Sequence, residues 1–119
     1  MKLQGKRVVL TGASSGIGLE LLPLLHQKGA KVLAVGRRKY TPEFSSITYI
    51  QEDVSTQDGV DRIFDMAKKV LGGIDIFIAN AGFAYYEGAQ NADWERTKTI
   101  FDTNVNSPIY AFYKLKKIK

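Results

Sequence analysis

Thr11-Gly12-Ala13-Ser14-Ser15-Gly16-Ile17-Gly18 stands between an apolar run, Val8-Val9-Leu10, and a second apolar stretch from Leu19 to Leu25. In that order the chain gives a strand, a glycine loop and a helix. The order says more than the glycines do. The first amides of a helix lack intrahelical partners, and with the positive end of the helix dipole they make a site for an anion. Glycines permit a tight turn and let a phosphate come close to the main chain. Ser14 and Ser15 add hydroxyl donors. The simplest ligand with this chemistry is the pyrophosphate of a dinucleotide. The plain alternative is a strand-turn-helix corner that needs glycines only for its own geometry.

The spacing narrows the choice. Gly12, Gly16 and Gly18 do not fit the Gly-x-Gly-x-x-Gly dinucleotide fingerprint. No Lys followed by Ser or Thr comes after the last glycine, which excludes a P-loop. The string instead resembles the Thr-Gly-x-x-x-Gly-Ile-Gly cofactor loop of the short-chain dehydrogenase/reductase family.

Length and composition set outer bounds. The 119 residues suit one domain with a modest core. A hydrophobic content of 45% fits an ordinary globular protein. With no cysteine there is neither disulfide nor thiolate chemistry, and no metal site is expected. No apolar run approaches the about 20 residues that span a bilayer. The start, Met1-Lys2-Leu3-Gln4-Gly5-Lys6, has no signal-peptide core. A cytoplasmic chain without a membrane partner is expected. The net charge of +5 points toward nucleic acid. However, Lys114, Lys116, Lys117 and Lys119 crowd the last positions, and the rest is nearly neutral. A frayed, solvated basic end and no nucleic-acid partner are expected.

Lys6 to Leu10 reads as the first strand. The helix that follows runs to about Lys28, with Gly29 as its stop and Leu21, Leu22, Leu24 and Leu25 as an apolar face. Pro23 lies inside it and predicts a kink or local irregularity. His26, the single histidine, falls in the last turn and suits the negative helix end better than proton transfer. Ala30 to Val35 reads as a second strand, Val-rich and without alternation, as strands buried on both faces tend to be. It ends at Gly36-Arg37-Arg38. In dinucleotide folds an acid here would bind the ribose 2′-hydroxyl, whereas arginine accommodates a 2′-phosphate. No acid is present, and two guanidiniums suit a phosphate, which favours NADP(H) over NAD(H). Two solvated arginines at a loop start are the alternative.

Lys39 to Ser46 is polar and short for a parallel crossover, and Ile47 to Ile50 is the third strand. Ser55 is expected to cap the next helix, which runs to about Leu71 with Ile63, Met66, Ala67 and Val70 inward and Gly72-Gly73 as its end. Asp75 to Ala79 is the fourth strand. Tyr85 and Tyr86 fall in a loop, where substrate contact and aromatic packing are equal alternatives. Asp93 is expected to cap a last helix containing Trp94, Val105, Ile109 and Phe112. Pro108 lacks the N–H that would bond the Asn104 carbonyl, so a helix kink is expected there. The alternation of elements argues a doubly wound α/β layer with a parallel sheet of order 3-2-1-4.

Three further segments match the family in the same order. Asp53-Val54 follows the third strand at the position that, in the family, contacts the adenine ring; a lone Asp there would otherwise serve a turn. Asn80-Ala81-Gly82 resembles the family's Asn-Asn-Ala-Gly segment beside the ribose, with Ala79 in place of the first Asn. Asn104-Val105-Asn106-Ser107-Pro108 resembles its Asn-Val-x-Gly-Pro stretch, with Ser107 for Gly. The corresponding Asn supports a proton relay to the catalytic lysine.

The resemblance implies that residues 1–119 form an NAD(P)-binding, Rossmann-like domain, the N-terminal part of a short-chain dehydrogenase/reductase. The sheet is expected to be truncated after the fourth strand and its following helix. The implied function is hydride transfer between NADP(H) and a small carbonyl or alcohol substrate. Gly12, Ser14, Ser15, Gly16, Ile17 and Gly18 would hold the pyrophosphate, and Arg37 and Arg38 the 2′-phosphate. Asp53 and Val54 would line the adenine pocket, Asn80, Ala81 and Gly82 would sit by the ribose, and Asn104 would serve the relay. The family's catalytic Tyr-x-x-x-Lys comes later than Asn104. Tyr110 and Lys114 have that spacing but sit within the same helix as Asn104, so the catalytic pair is expected to be absent and the chain alone inactive. A non-catalytic dinucleotide-binding or subunit-interaction module is the alternative. The apolar run Ile76-Phe77-Ile78 at a sheet edge predicts self-association, a homo-oligomer.

Overall fold

The computed structural model describes residues 2–81 and 94–118. Gly82, Tyr85, Tyr86 and Asp93 lie outside the described residues. Four strands form one sheet: β1 (Arg7–Thr11), β2 (Lys31–Gly36), β3 (Ile47–Gln51) and β4 (Ile76–Ile78). They are parallel and ordered β3-β2-β1-β4, as the alternation of elements implied. Helix α1 (Gly16–Gln27) joins β1 to β2, and α2 (Gln57–Leu71) joins β3 to β4. Beyond the undescribed stretch come α3 (Trp94–Phe101), a π-helical turn (Asp102–Asn106) and α4 (Ser107–Lys117).

The two central strands are apolar over Val8-Val9-Leu10 and Val32-Leu33-Ala34-Val35 because both their faces are covered there. Val8, Leu10, Val32 and Ala34 face α1 and pack with Leu22 and Leu25. Val9, Leu33 and Val35 face the other way and pack with Val60, Ile63, Phe64 and Ala67 of α2 and with Ala111 of α4. Alternate residues thus feed two separate cores, which is what double winding requires. The link from β2 to β3 contains no helix. Tyr40 and Phe44 from this link pack on the α1 side, where Phe44 stacks on His26 with ring centroids 4.4 Å apart. The His26 ring also pairs with the Ser46 hydroxyl at 2.9 Å.

Some local expectations need correction. Thr56, not Ser55, caps α2, its hydroxyl accepting the Gly59 N–H at 2.9 Å. Ser55 is engaged by Asp53, whose carboxylate accepts both its N–H and its hydroxyl. Leu24 and Val70 are 51% and 42% exposed rather than inward, since a face counted from apolar letters alone is wider than the face a sheet can cover. Helix α1 continues through Pro23 as one helix. Pro23 is exposed, so the Leu19 carbonyl left without its helical donor is on the side that water reaches. The expected irregularity near Pro108 is the π turn, one residue wider than an α turn.

At the end of the sheet away from the glycine loop, Arg7 and Asp75 clamp β1 to the start of β4. The guanidinium meets the carboxylate at 3.0 and 3.1 Å, and the backbone N–H of Arg7 donates to it at 2.9 Å. The Asp75 N–H returns to the Arg7 carbonyl at 2.8 Å. These contacts hold the Asp75 carboxyl well below the usual carboxylate range, chiefly through the Arg7 side chain. A depressed carboxyl stabilises the fold above its unfolded value of about 4 and loses that contribution as pH falls through the lower folded value. Asp75→Asn is therefore expected to lower the urea midpoint at pH 7, and the gap to wild type is expected to close as pH drops below about 4. A gap that stays constant down to acid would show that the pair contributes nothing through charge.

Candidate functional site

The glycine loop sits at the carboxyl ends of the strands, where open α/β sheets place their ligand crevices. Four hydrogen bonds fix it. The Ala13 N–H donates to the Val35 carbonyl at 2.9 Å, which ties the loop to β2. The Thr11 hydroxyl accepts the N–H groups of Asn80 at 3.1 Å and Ala81 at 3.0 Å, and the Asn80 side chain donates to the Gly12 carbonyl at 3.3 Å. Thr11 is 3% exposed, whereas Gly12, Asn80 and Ala81 are half-buried.

Two glycines are required by close approach. Gly12 has φ +67°, and a Cβ there would lie 2.9 Å from the backbone of Asn80 and Ala81. A Cβ on Gly18 would collide with the Gly12 carbonyl oxygen and come within 2.7 Å of the Asn80 side-chain nitrogen. The loop, the start of α1 and the segment after β4 are therefore stacked backbone against backbone. Ser15 is the N-cap residue of α1, yet its side chain makes no capping bond, and no acid stands in the first turn. The first helical bond is from the Leu19 N–H to the Ser15 carbonyl at 3.3 Å. The amides before it are directed toward the helix mouth.

A cleft opens there. Gly12, Ser14 and Ser15 form one wall; Gly36, Arg37 and Arg38 form the second; Glu52, Val54, Ala81 and Thr103 close it. Seven of the sequence-derived residues thus meet around one cavity: Gly12, Ser14, Ser15, Arg37, Arg38, Val54 and Ala81. Gly18 and Asn80 stand behind the loop and hold its shape. Gly16, at φ +56°, opens the helix. Ile17 is 71% exposed and does not line the cleft. The Asp53 side chain is spent on Ser55, which matches the turn alternative. Asn104 is exposed on the π turn, and its buried neighbour Thr103 reaches the cleft instead.

Sequence reasoning missed Glu52, Thr103, Gly36 and the role of Thr11. Glu52 places a carboxylate beside two arginines, but Arg62 of α2 grips it at 2.7 and 2.9 Å and holds it below its usual range. The acid is thus answered from outside the cleft and leaves the wall favourable to an anion. Tyr110 and Lys114 both contact one oxygen of Asp61 on α2, at 2.7 and 2.8 Å. That bond pushes the Tyr110 hydroxyl up, away from the behaviour of a base, and the trio clamps α4 to α2.

Removing the Thr11 hydroxyl tests how the loop is held. Thr11→Val takes the acceptor from the half-buried Ala81 N–H, while the Asn80 N–H keeps the Ile78 carbonyl at 3.1 Å, and is expected to cost about 1 kcal/mol in urea unfolding. Thr11→Ser keeps the acceptor and is expected to cost less. Equal losses in the two variants would mean that the hydroxyl does not hold the segment after β4.

Comparison with known proteins agrees with this geometry. The chain matches the family described as short chain dehydrogenase over residues 6–117. It is 34% identical over 118 residues to the uncharacterized oxidoreductase YxnA of Bacillus subtilis, covering 92% of this chain and 33% of the relative. It is 32% identical to the uncharacterized oxidoreductase SAR2567 of Staphylococcus aureus, covering 91% of this chain and 50% of the relative. Among solved structures, a short chain dehydrogenase from Bacillus anthracis superimposes with a TM-score of 0.86 at 25% identity, over 98% of this chain and 52% of that one. A short chain dehydrogenase from Burkholderia cenocepacia, solved in complex with NADP, has the same fold, with a TM-score of 0.82 at 24% identity, over 98% of this chain and 52% of that one. The chain spans from about a third to about half of the length of these proteins.

Proposed function

The chain belongs to the short-chain dehydrogenase family, and from that premise we propose that it is the cofactor-holding portion of an oxidoreductase acting with NADP(H) on a carbonyl or alcohol. One observation carries the reading: an open helix mouth and a pair of arginines share a single cleft. Each is suited to a phosphate, and a dinucleotide with a 2′-phosphate offers one to each. The absent Cβ atoms at Gly12 and Gly18 let the loop, the start of α1 and the segment after β4 pack closely behind the cradle.

The residues divide the work by position. Gly12, Ser14, Ser15, Gly16 and Gly18 shape and line the pyrophosphate cradle, with Ile17 between them. Arg37 and Arg38 take the 2′-phosphate. Val54 and the backbone of Asp53 border the adenine, and Asn80, Ala81 and Gly82 the ribose. Asn104 serves the relay from the π turn that precedes Pro108. The nicotinamide ring, when bound, gives or accepts the hydride, and the protein supplies orientation and charge. The relative solved with NADP supports a nicotinamide dinucleotide as ligand.

Titration of the chain with NADPH and NADH tests this. NADPH is expected to bind at least about tenfold more tightly, the value of one charge-assisted contact. Equal affinities, or a preference for NADH, would overturn the assignment of the arginines.

A further inference from the structure

The two arginines sit just beyond the point where the sheet ends. The last ladder bond between β2 and β3 runs from the Glu52 N–H to the Gly36 carbonyl at 2.9 Å. Past Gly36 the chain runs beyond the last registered pair of β2 and β3, Gly36 with Gln51. Two side chains of β3 take over. Gln51 donates through Nε2 to the Arg37 carbonyl at 3.0 Å, and the Tyr49 hydroxyl donates to the Arg38 carbonyl. Tyr49 and Gln51 are two apart on the strand and so stand on the same face. In effect the ladder is prolonged by two rungs made of side chains.

The Tyr49 hydroxyl also lies against the Ser14 side chain of the glycine loop. Gly36 permits this meeting, because a Cβ there would collide with the Tyr49 hydroxyl and crowd Ser14. Burial pushes the Tyr49 hydroxyl up, so it stays protonated and remains a donor at neutral pH. The two loops that flank the cleft therefore meet on one phenol.

We propose that Tyr49 and Gln51 are positioning residues for cofactor selection: they fix the backbone of Arg37 and Arg38 so that both side chains are already aimed at a phosphomonoester. Neither touches the ligand. Their effect is to remove the ordering cost of the loop before binding, which an unpinned arginine pair would meet at the moment of association. The inference rests on the NADP(H) reading of the cleft.

The test compares wild type, Tyr49→Phe, Gln51→Ala and the double variant Arg37→Ala/Arg38→Ala in the full chain. The readout is the ratio of NADPH to NADH affinity, with thermal unfolding measured alongside. Loss of one anchoring bond is expected to lower the ratio about threefold to tenfold in both Tyr49→Phe and Gln51→Ala, with NADH affinity nearly unchanged in Gln51→Ala, which leaves the Ser14 contact in place. Gln51 is exposed, so Gln51→Ala keeps the question open to an answer should Tyr49→Phe fold poorly. A parallel loss for both cofactors would mark a merely structural role and overturn the inference. So would an unchanged ratio in these two variants while the arginine variant lowers it, which leaves the cofactor reading standing. An unchanged ratio in the arginine variant as well would sink that reading itself.

Discussion

Replacing Arg37 and Arg38 together by alanine is expected to raise the Kd for NADPH about tenfold to a hundredfold while leaving the Kd for NADH within about twofold. Hydrogen bonds between a guanidinium and a phosphate are worth about 1.5–3 kcal/mol each, and every 1.4 kcal/mol is about a factor of ten in affinity. Both side chains are exposed at the cleft wall, which argues for the lower part of that range. Glu52, the carboxylate that lines the cleft among the described residues, is held by Arg62, so it subtracts little from their attraction. Exposure also predicts a salt dependence. The advantage of NADPH should shrink between low and about 0.5 M ionic strength, because the screening length falls below the reach of a surface pair. Calorimetric titration of both cofactors at two salt concentrations checks both statements. If the double variant weakened NADH as much as NADPH, the arginines would be supporting the loop rather than reading the 2′-position.

Much of the fold was open to reading in the letters, for physical reasons. Val8-Val9-Leu10 and Val32-Leu33-Ala34-Val35 do not alternate, and only strands covered on both faces tolerate that. Gly29 and Gly72 stop their helices through positive φ, at +80° and +81°, a choice that leaves a plain mark in sequence. The link between β2 and β3 reads as short for a parallel crossover, and it contains no helix. What stayed hidden depends on partners far away in the chain. Arg7 and Asp75 are 68 positions apart, and nothing local to either announces the clamp. Tyr49 and Gln51 read only as strand residues, since their work is done on carbonyls across the sheet. The choice of Thr56 over Ser55 as cap was undecidable from two adjacent hydroxyls, until Asp53 is seen to claim one of them. The candidate site shows the same division. The glycines and arginines are chemically conspicuous, whereas Glu52 and Thr103 enter the cleft only because the fold brings them there.

Gly18→Ala should be the more damaging single change, because it strikes the cradle and the fold together. Gly18 is buried within the first turn of α1 and needs no unusual backbone angle, so the penalty is steric alone. The added methyl would meet the Gly12 carbonyl, with its carbon at 2.8 Å, and the Asn80 side-chain nitrogen at 2.7 Å. The Gly12 group is main chain and cannot swing aside as a long side chain can. Either α1 moves off β1 or the loop lifts, and each breaks the bond from Asn80 to Gly12. Overpacking of this kind costs about 3 kcal/mol, or a fall of roughly 10 °C in Tm for a chain of this size. Gly16→Ala is the contrasting case. It has open space around the new Cβ and carries only the strain of φ +56°, about 1–2 kcal/mol. Because the pyrophosphate is common to both cofactors, Gly18→Ala should weaken NADPH and NADH equally, by about tenfold or more for each backbone donor displaced. The signature is thus opposite to that of the arginine variant: affinity falls while the ratio holds. If Gly18→Ala were as stable as wild type, or shifted the ratio instead, the stacking of loop, helix and Asn80 would not be what shapes the anion cradle.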